Sequence, residues 1–167
     1  MTDRRTALAR LCVGSALVTL GIGSANAVSE TEASLQISYR NGSQRALTFN
    51  DLNGLNGLTQ HSIVTATPWH LGTPTFTGPL LRDVLQLANF EGNVVLASAV
   101  NDYNVTIPVE DLVQHRVVLA HSINGERLTL RTLGPLYVMY PLDSDETLQT
   151  SAVYARCIWQ LLQIKEP

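Results

Sequence analysis

Cysteine is nearly absent from this chain. Its 167 residues hold two, Cys12 and Cys157, and Cys12 falls in the leader described below. A single remaining thiol excludes an intrachain disulfide and any metal site built on several thiolates. Lysine is scarcer still, with Lys165 alone. G-x-S-x-G, the phosphate-cradling P-loop and G-x-G-x-x-G are all missing, so no nucleophile elbow or nucleotide fold is signalled. The four histidines fall as His61 and His70, nine apart, and His115 and His121, six apart. Neither spacing puts two imidazoles on one helix face, and no two histidines stand two apart as neighbours on a strand face would, so a multi-histidine metal site is not expected. There is no internal repeat and no low-complexity segment.

The amino terminus is organised for export. Arg4, Arg5 and Arg10 precede an apolar run from Leu11 to Ile22, and Ala25-Asn26-Ala27 closes it. This is the pattern of a signal peptide over residues 1–27, cleaved before Val28, which places the chain in the periplasm. The run is shorter than the about 20 residues a membrane span needs. Leu8-Ala9-Arg10-Leu11 before Cys12 is no lipobox, so no lipoprotein is expected. The paired arginines of 3-DRRTAL-8 hint at the twin-arginine route, but Ala7 stands where a large apolar residue would complete that signal, and the general secretory route is preferred. Without Asp3, Arg4, Arg5 and Arg10, residues 28–167 carry 8 basic and 13 acidic side chains, net −5. That balance excludes nucleic acid as a partner.

Residues 28–167 are enough for one domain. Strands are predicted over 34–39 and 44–49 around Asn41-Gly42, over 61–67, and over 93–100 with apolar residues on both faces. Thr48 with Asp51 caps a short helix over 49–53. Gly78-Pro79 opens a helix over 80–88, with Pro79 at its first position and Leu81, Val84, Leu85 and Ala88 on one buried face. Further strands are expected over 105–108, 116–123, 126–132, 136–141 and 156–164, with Asn124-Gly125 as a hairpin turn and helices over 109–115 and 145–155. The fold class is α+β, a β-rich mixed sheet or barrel with a few short helices.

Polar and aromatic residues in loops are the candidates for a site. Trp69 and His70 stand between Thr67-Pro68 and a glycine-bearing loop, where a tryptophan is either a pocket wall or a core residue beside a turn. Asn101, Asp102 and Tyr103 follow an apolar strand; an Asn-Asp pair there either lines a ligand or bonds its own backbone. Arg131 precedes Gly134-Pro135, and a guanidinium in that place holds an anionic group or pairs with Glu126.

Five segments in order, 76-FTGPLLRDVL-85, 105-VTIPVEDL-112, 117-VVLAHSINGERL-128, 134-GPLYVMYP-141 and 158-IWQLLQI-164, resemble the molybdopterin-binding oxidoreductase domain of the sulfite-oxidase fold. More closely, they resemble small exported proteins classed with it. The resemblance covers about 49–164. It implies a β-rich core whose loops at one end hold molybdopterin, and a cysteine thiolate, in the loop before the F-x-G-x-x-L segment, that ligates molybdenum. Here that loop is 65-TATPWHLGTPT-75, without cysteine. Of the family's Arg-Asp-His-Gly pattern, 131-RTLG-134 keeps Arg131 and Gly134 only, and Tyr137 stands where the next strand has an arginine.

The resemblance implies a periplasmic oxidoreductase-family domain that binds a small anionic or pterin-like ligand in a cleft of Thr67, Trp69, His70, Asn101, Asp102, Tyr103, Arg131 and Gly134. The alternative is a cofactor-free binding or sensory module that works with a membrane-bound sensor or electron-transfer partner. A structural accessory protein with buried Trp69 and Tyr103 is a third reading.

Overall fold

Two hairpins and a long-range closure build the first sheet. The computed structural model describes residues 33–167; the expected leader and its cleavage point lie outside the described residues. Strand β1 (Ala33–Ser38) returns antiparallel as β2 (Gln44–Thr48). Gly42, at φ 83°, makes the turn, a conformation glycine adopts without steric cost. Leu35, Ile37 and Leu47 face the core. The short helix α1 (Phe49–Leu52) has the predicted reciprocal cap: Thr48 Oγ1 accepts from the Asp51 amide, and the Asp51 carboxylate accepts from the Thr48 amide at 2.7 Å.

Strands β3 (Gln60–Val64) and β4 (Thr75–Pro79) pair antiparallel across the loop of residues 65–74. Gly78-Pro79 therefore belongs to a strand, and the helix α2 (Leu81–Leu87) starts only after Leu80. The cause is a close approach. A Cβ on Gly78 would lie 2.0 Å from the Leu119 carbonyl oxygen, so glycine serves strand packing rather than helix entry. The apolar face of α2 is as its period dictates, with Leu81, Val84, Leu85 and Ala88 buried.

Next come β5 (Val94–Ala99), β6 (Asn104–Pro108), α3 (Val109–Gln114), β7 (Val118–Ala120), β8 (Ser122–Ile123), β9 (Glu126–Arg127), β10 (Tyr137–Met139), α4 (Ser151–Arg156) and β11 (Leu161–Lys165). Strand β5 alternates between buried and half-buried, so one face rather than both meets the core. The expected strand over 116–123 is broken at His121, whose amide donates to Thr77 O while its ring turns to Gln60. The return over 126–132 ends early in a 3-10 turn, Leu130–Thr132, held by Thr129 and Thr132. The helix expected over 145–155 splits in two because Thr150 caps a new start, accepting from the Val153 amide at 3.3 Å.

The sheets run β2-β1-β11-β5-β6 and β3-β4-β8-β9, with β10 and β7 as a separate pair. Strand β1 is parallel to β11, with Ile37 opposite Ile164, so the two ends of the described chain share one sheet. The architecture is α+β with mixed sheets, and they do not close into a barrel. At one end of the first sheet, the β5–β6 turn, the start of β11 and the loop of residues 65–74 come together.

Candidate functional site

The loop of residues 65–74 is fixed at its base before it presents any side chain. The Thr65 amide donates to Pro74 O at 3.3 Å. The buried Thr65 hydroxyl accepts from the Asp143 amide at 3.1 Å, and Asp143 Oδ2 accepts from the Ala66 amide at 2.6 Å. Within the loop, Thr67 Oγ1 accepts from the amides of Trp69 and His70 at 3.3 and 3.1 Å. Two accepted bonds leave its hydroxyl proton to donate to His70 Nδ1, 2.8 Å away. The network therefore assigns His70 the neutral Nε2–H form, and burial lowers its pKa from the ordinary value. Thr67 is a scaffold for Trp69 and His70, not a wall of the site.

Trp69 and His70 point to different places. Trp69 lines a pocket of about 260 Å³. Ala99, Asn101 and Tyr103 supply one wall from the β5–β6 turn, and Tyr154, Cys157 and Trp159 supply the other from α4 and the approach to β11. The rings are set at steep angles. Trp69 and Trp159 lie 5.6 Å apart at 66°, and Trp69 and Tyr154 lie 5.9 Å apart at 81°. Tyr103 donates its hydroxyl to Ala155 O at 3.0 Å, which ties the two walls together. Trp69 and Tyr103 are 38% and 43% exposed, so the pocket opens to solvent.

His70 instead borders a shallower depression of about 390 Å³ with Asn124, Arg127, Thr132 and Leu133. Tyr137 stands between the two. Its ring is 5.9 Å from Trp159 and 6.1 Å from His70. It is fully buried, its hydroxyl has no hydrogen-bond partner among the described residues, and burial raises its pKa, with Cys157 nearby adding to the shift.

The structure thus brings Trp69, Asn101 and Tyr103 together and leaves the other expected residues elsewhere. Asp102, at φ 61°, is exposed and shapes the turn, its carbonyl accepting from Asn104 Nδ2 at 2.7 Å. Asn101 also shapes it, accepting from the Tyr103 amide at 3.2 Å, so the backbone reading and the lining reading hold for the same side chain. Arg131 is exposed in its 3-10 turn. Gly134 is buried where a Cβ would lie 2.6 Å from the Leu128 carbonyl carbon. Three wall residues, Tyr154, Cys157 and Trp159, were not among the sequence candidates. Trp159 falls inside a stretch read as a strand, but Gln160 at φ 52° interrupts it and the strand begins at Leu161.

A family model described as the oxidoreductase molybdopterin-binding domain matches residues 25–142. The chain belongs to that family. No curated protein matches the chain significantly. The family is one that binds molybdopterin. Residues 143–167, which carry the Tyr154, Cys157 and Trp159 wall, lie beyond the matched span.

The donor set decides how well a thiolate-held molybdenum would fit. The loop of residues 65–75 contains no cysteine. Cys157 is on the opposite wall, 2% exposed, and burial pushes its thiol up to about 11, away from the thiolate that binds metals. Among the described residues no three His, Cys, Asp or Glu side chains converge. These residues do not fit thiolate ligation of molybdenum.

Proposed function

We propose that this chain is a periplasmic ligand-binding member of its family, working through the aromatic pocket rather than through a thiolate-held metal. One observation carries the reading. Four aromatic side chains, Trp69, Tyr103, Tyr154 and Trp159, reach one open pocket from three separate segments. Aromatic walls with a few placed polar groups are what small-molecule sites are made of. Asn101 supplies the polar group here, and the loop carrying Trp69 is anchored by Thr65, Thr67 and Asp143, which lowers the ordering cost of binding. Two exposed apolar side chains, Leu71 and Val100, flank the pocket residues in sequence. They offer a surface to a membrane-bound partner that would read occupancy.

A second reading is supported by family membership. In it a metal-free pterin-like ring occupies the pocket.

The two tryptophans of the chain, Trp69 and Trp159, both line the pocket, so tryptophan emission reports occupancy directly. The exported protein is titrated with a metal-free pterin and with small cationic, neutral and anionic compounds. A saturable change with at least one class, lost in Trp159→Leu, supports a ligand site. A response to none of them removes it. A response to the pterin alone selects the second reading.

A further inference from the structure

We infer that the corner formed by Trp69, Trp159 and Tyr154 is a cation site, taking a small quaternary or protonated ammonium group. The inference rests on the ligand-binding reading above and names the class of ligand.

The ring geometry is the first argument. Rings at 66° and 81° to a shared neighbour make the walls of a box. Parallel faces suit a flat ring sandwiched between them, whereas a box suits a compact, roughly spherical group. The electron-rich faces of Trp and Tyr attract cations within about 6 Å of the ring centroid. A volume of about 260 Å³ admits a trimethylammonium head with a short tail.

Charge is the second, independent argument. Among the described residues, no Lys or Arg lines the pocket. Arg156 sits between two wall residues, Ala155 and Cys157, but its guanidinium turns away to Asp111 at 2.6 Å. Lys165, the one lysine, lies at the far end of β11 from Leu161, which pairs with the wall residue Ala99. On the near side, the exposed Asp102 adjoins Asn101 in the turn that forms one wall. A cation entering here meets no like charge among the described residues of the lining. An anion would have no partner in the lining.

The test compares choline with its uncharged carbon isostere, 3,3-dimethylbutan-1-ol, by tryptophan emission and calorimetry on the exported protein. The two probes have nearly the same shape, so the difference isolates the charge. Choline is expected to bind about tenfold tighter or more, a ratio set by cation–π attraction in a partly desolvated site. Trp159→Phe should keep part of the preference and Trp159→Leu should lose it, with circular dichroism checking that both fold. Equal binding of the two probes would overturn the cation site while leaving a ligand pocket in place. Binding of neither would also overturn it, and the pterin and anion titrations above then decide separately whether the pocket binds anything.

Discussion

The indole of Trp69 packs against that of Trp159 at 5.6 Å, although the two stand 90 positions apart in the sequence. One comes from a loop between two strands of the second sheet, the other from the entry to the last strand of the first. Their contact makes the pocket a product of tertiary folding. Trp159→Ala should therefore remove ligand binding and cost about 2–4 kcal/mol of stability, somewhat below a fully buried aromatic because Trp159 is half-buried. Chemical denaturation alongside the emission titration separates the two effects. A variant that binds normally would show that the corner is only structural.

Tyr137 offers a sharper substitution. Its hydroxyl is buried without a partner among the described residues, and an unpaired buried hydroxyl costs free energy that its removal recovers. Tyr137→Phe should leave the protein as stable or raise its stability by up to about 1 kcal/mol. A loss of several kcal/mol on urea unfolding would mean that the hydroxyl has a partner when the protein is in solution.

Asp111 joins three elements. It accepts from Tyr140 at 2.8 Å and from Arg156 at 2.6 Å, linking α3 to the residue that follows β10 and to α4. Its carboxylate is mostly shielded from water, so removing it strands two donors. Asp111→Ala should cost about 2–3 kcal/mol. A double-mutant cycle with Tyr140→Phe should show coupling of about 0.5–1.5 kcal/mol. Simple additivity would contradict a shared network.

Acid should destabilise the fold through His121. Burial, then the nearby Arg127, lowers its pKa below the ordinary 6.5. Gln60 directs its amide nitrogen to two backbone carbonyls and its oxygen to His121 Nε2 at 2.8 Å, which fits a neutral, Nε2–H donor. The folded state therefore resists protonation that the unfolded chain accepts near 6.5. Stability from this group is fully present above about pH 6.5 and is lost as pH falls through the lower folded value. His70 is shifted the same way by burial and adds to the slope. Unfolding free energy measured from pH 8 to 5 should fall below pH 6.5, and more gently in His121→Gln. A flat profile, or the same slope in the variant, would contradict this.

Much of the fold was legible because the deciding interactions are local. The Thr48–Asp51 cap spans three residues, the α2 stripe repeats at three and four, and Asn124-Gly125 turns with both residues at positive φ. The failures arise where a distant partner decides. Gly78 was read as helix entry, but the Leu119 carbonyl, 41 positions on, requires the bare backbone. His121 interrupts a strand because Thr77 and Gln60 claim it. The site behaves the same way. Trp69 stood out in a loop between proline and glycine, and Asn101 and Tyr103 followed a strand end. Trp159 and Tyr154 carry no local mark of a pocket, since their role depends on where Trp69 comes to rest. The separation of His70 from Trp69, adjacent in sequence, needed the Thr67 hydroxyl and the Tyr137 ring to be placed first.

The molybdenum content of the protein tests the central claim most directly. The full 167-residue chain is produced in a host that makes the cofactor, grown with added molybdate, and purified. Far less than one molybdenum atom per chain is expected, with ligand-dependent tryptophan emission intact in the same preparation. Close to one atom per chain, retained through purification, would contradict it and return the loop of residues 65–75 to the role of a metal-holding site without a thiolate.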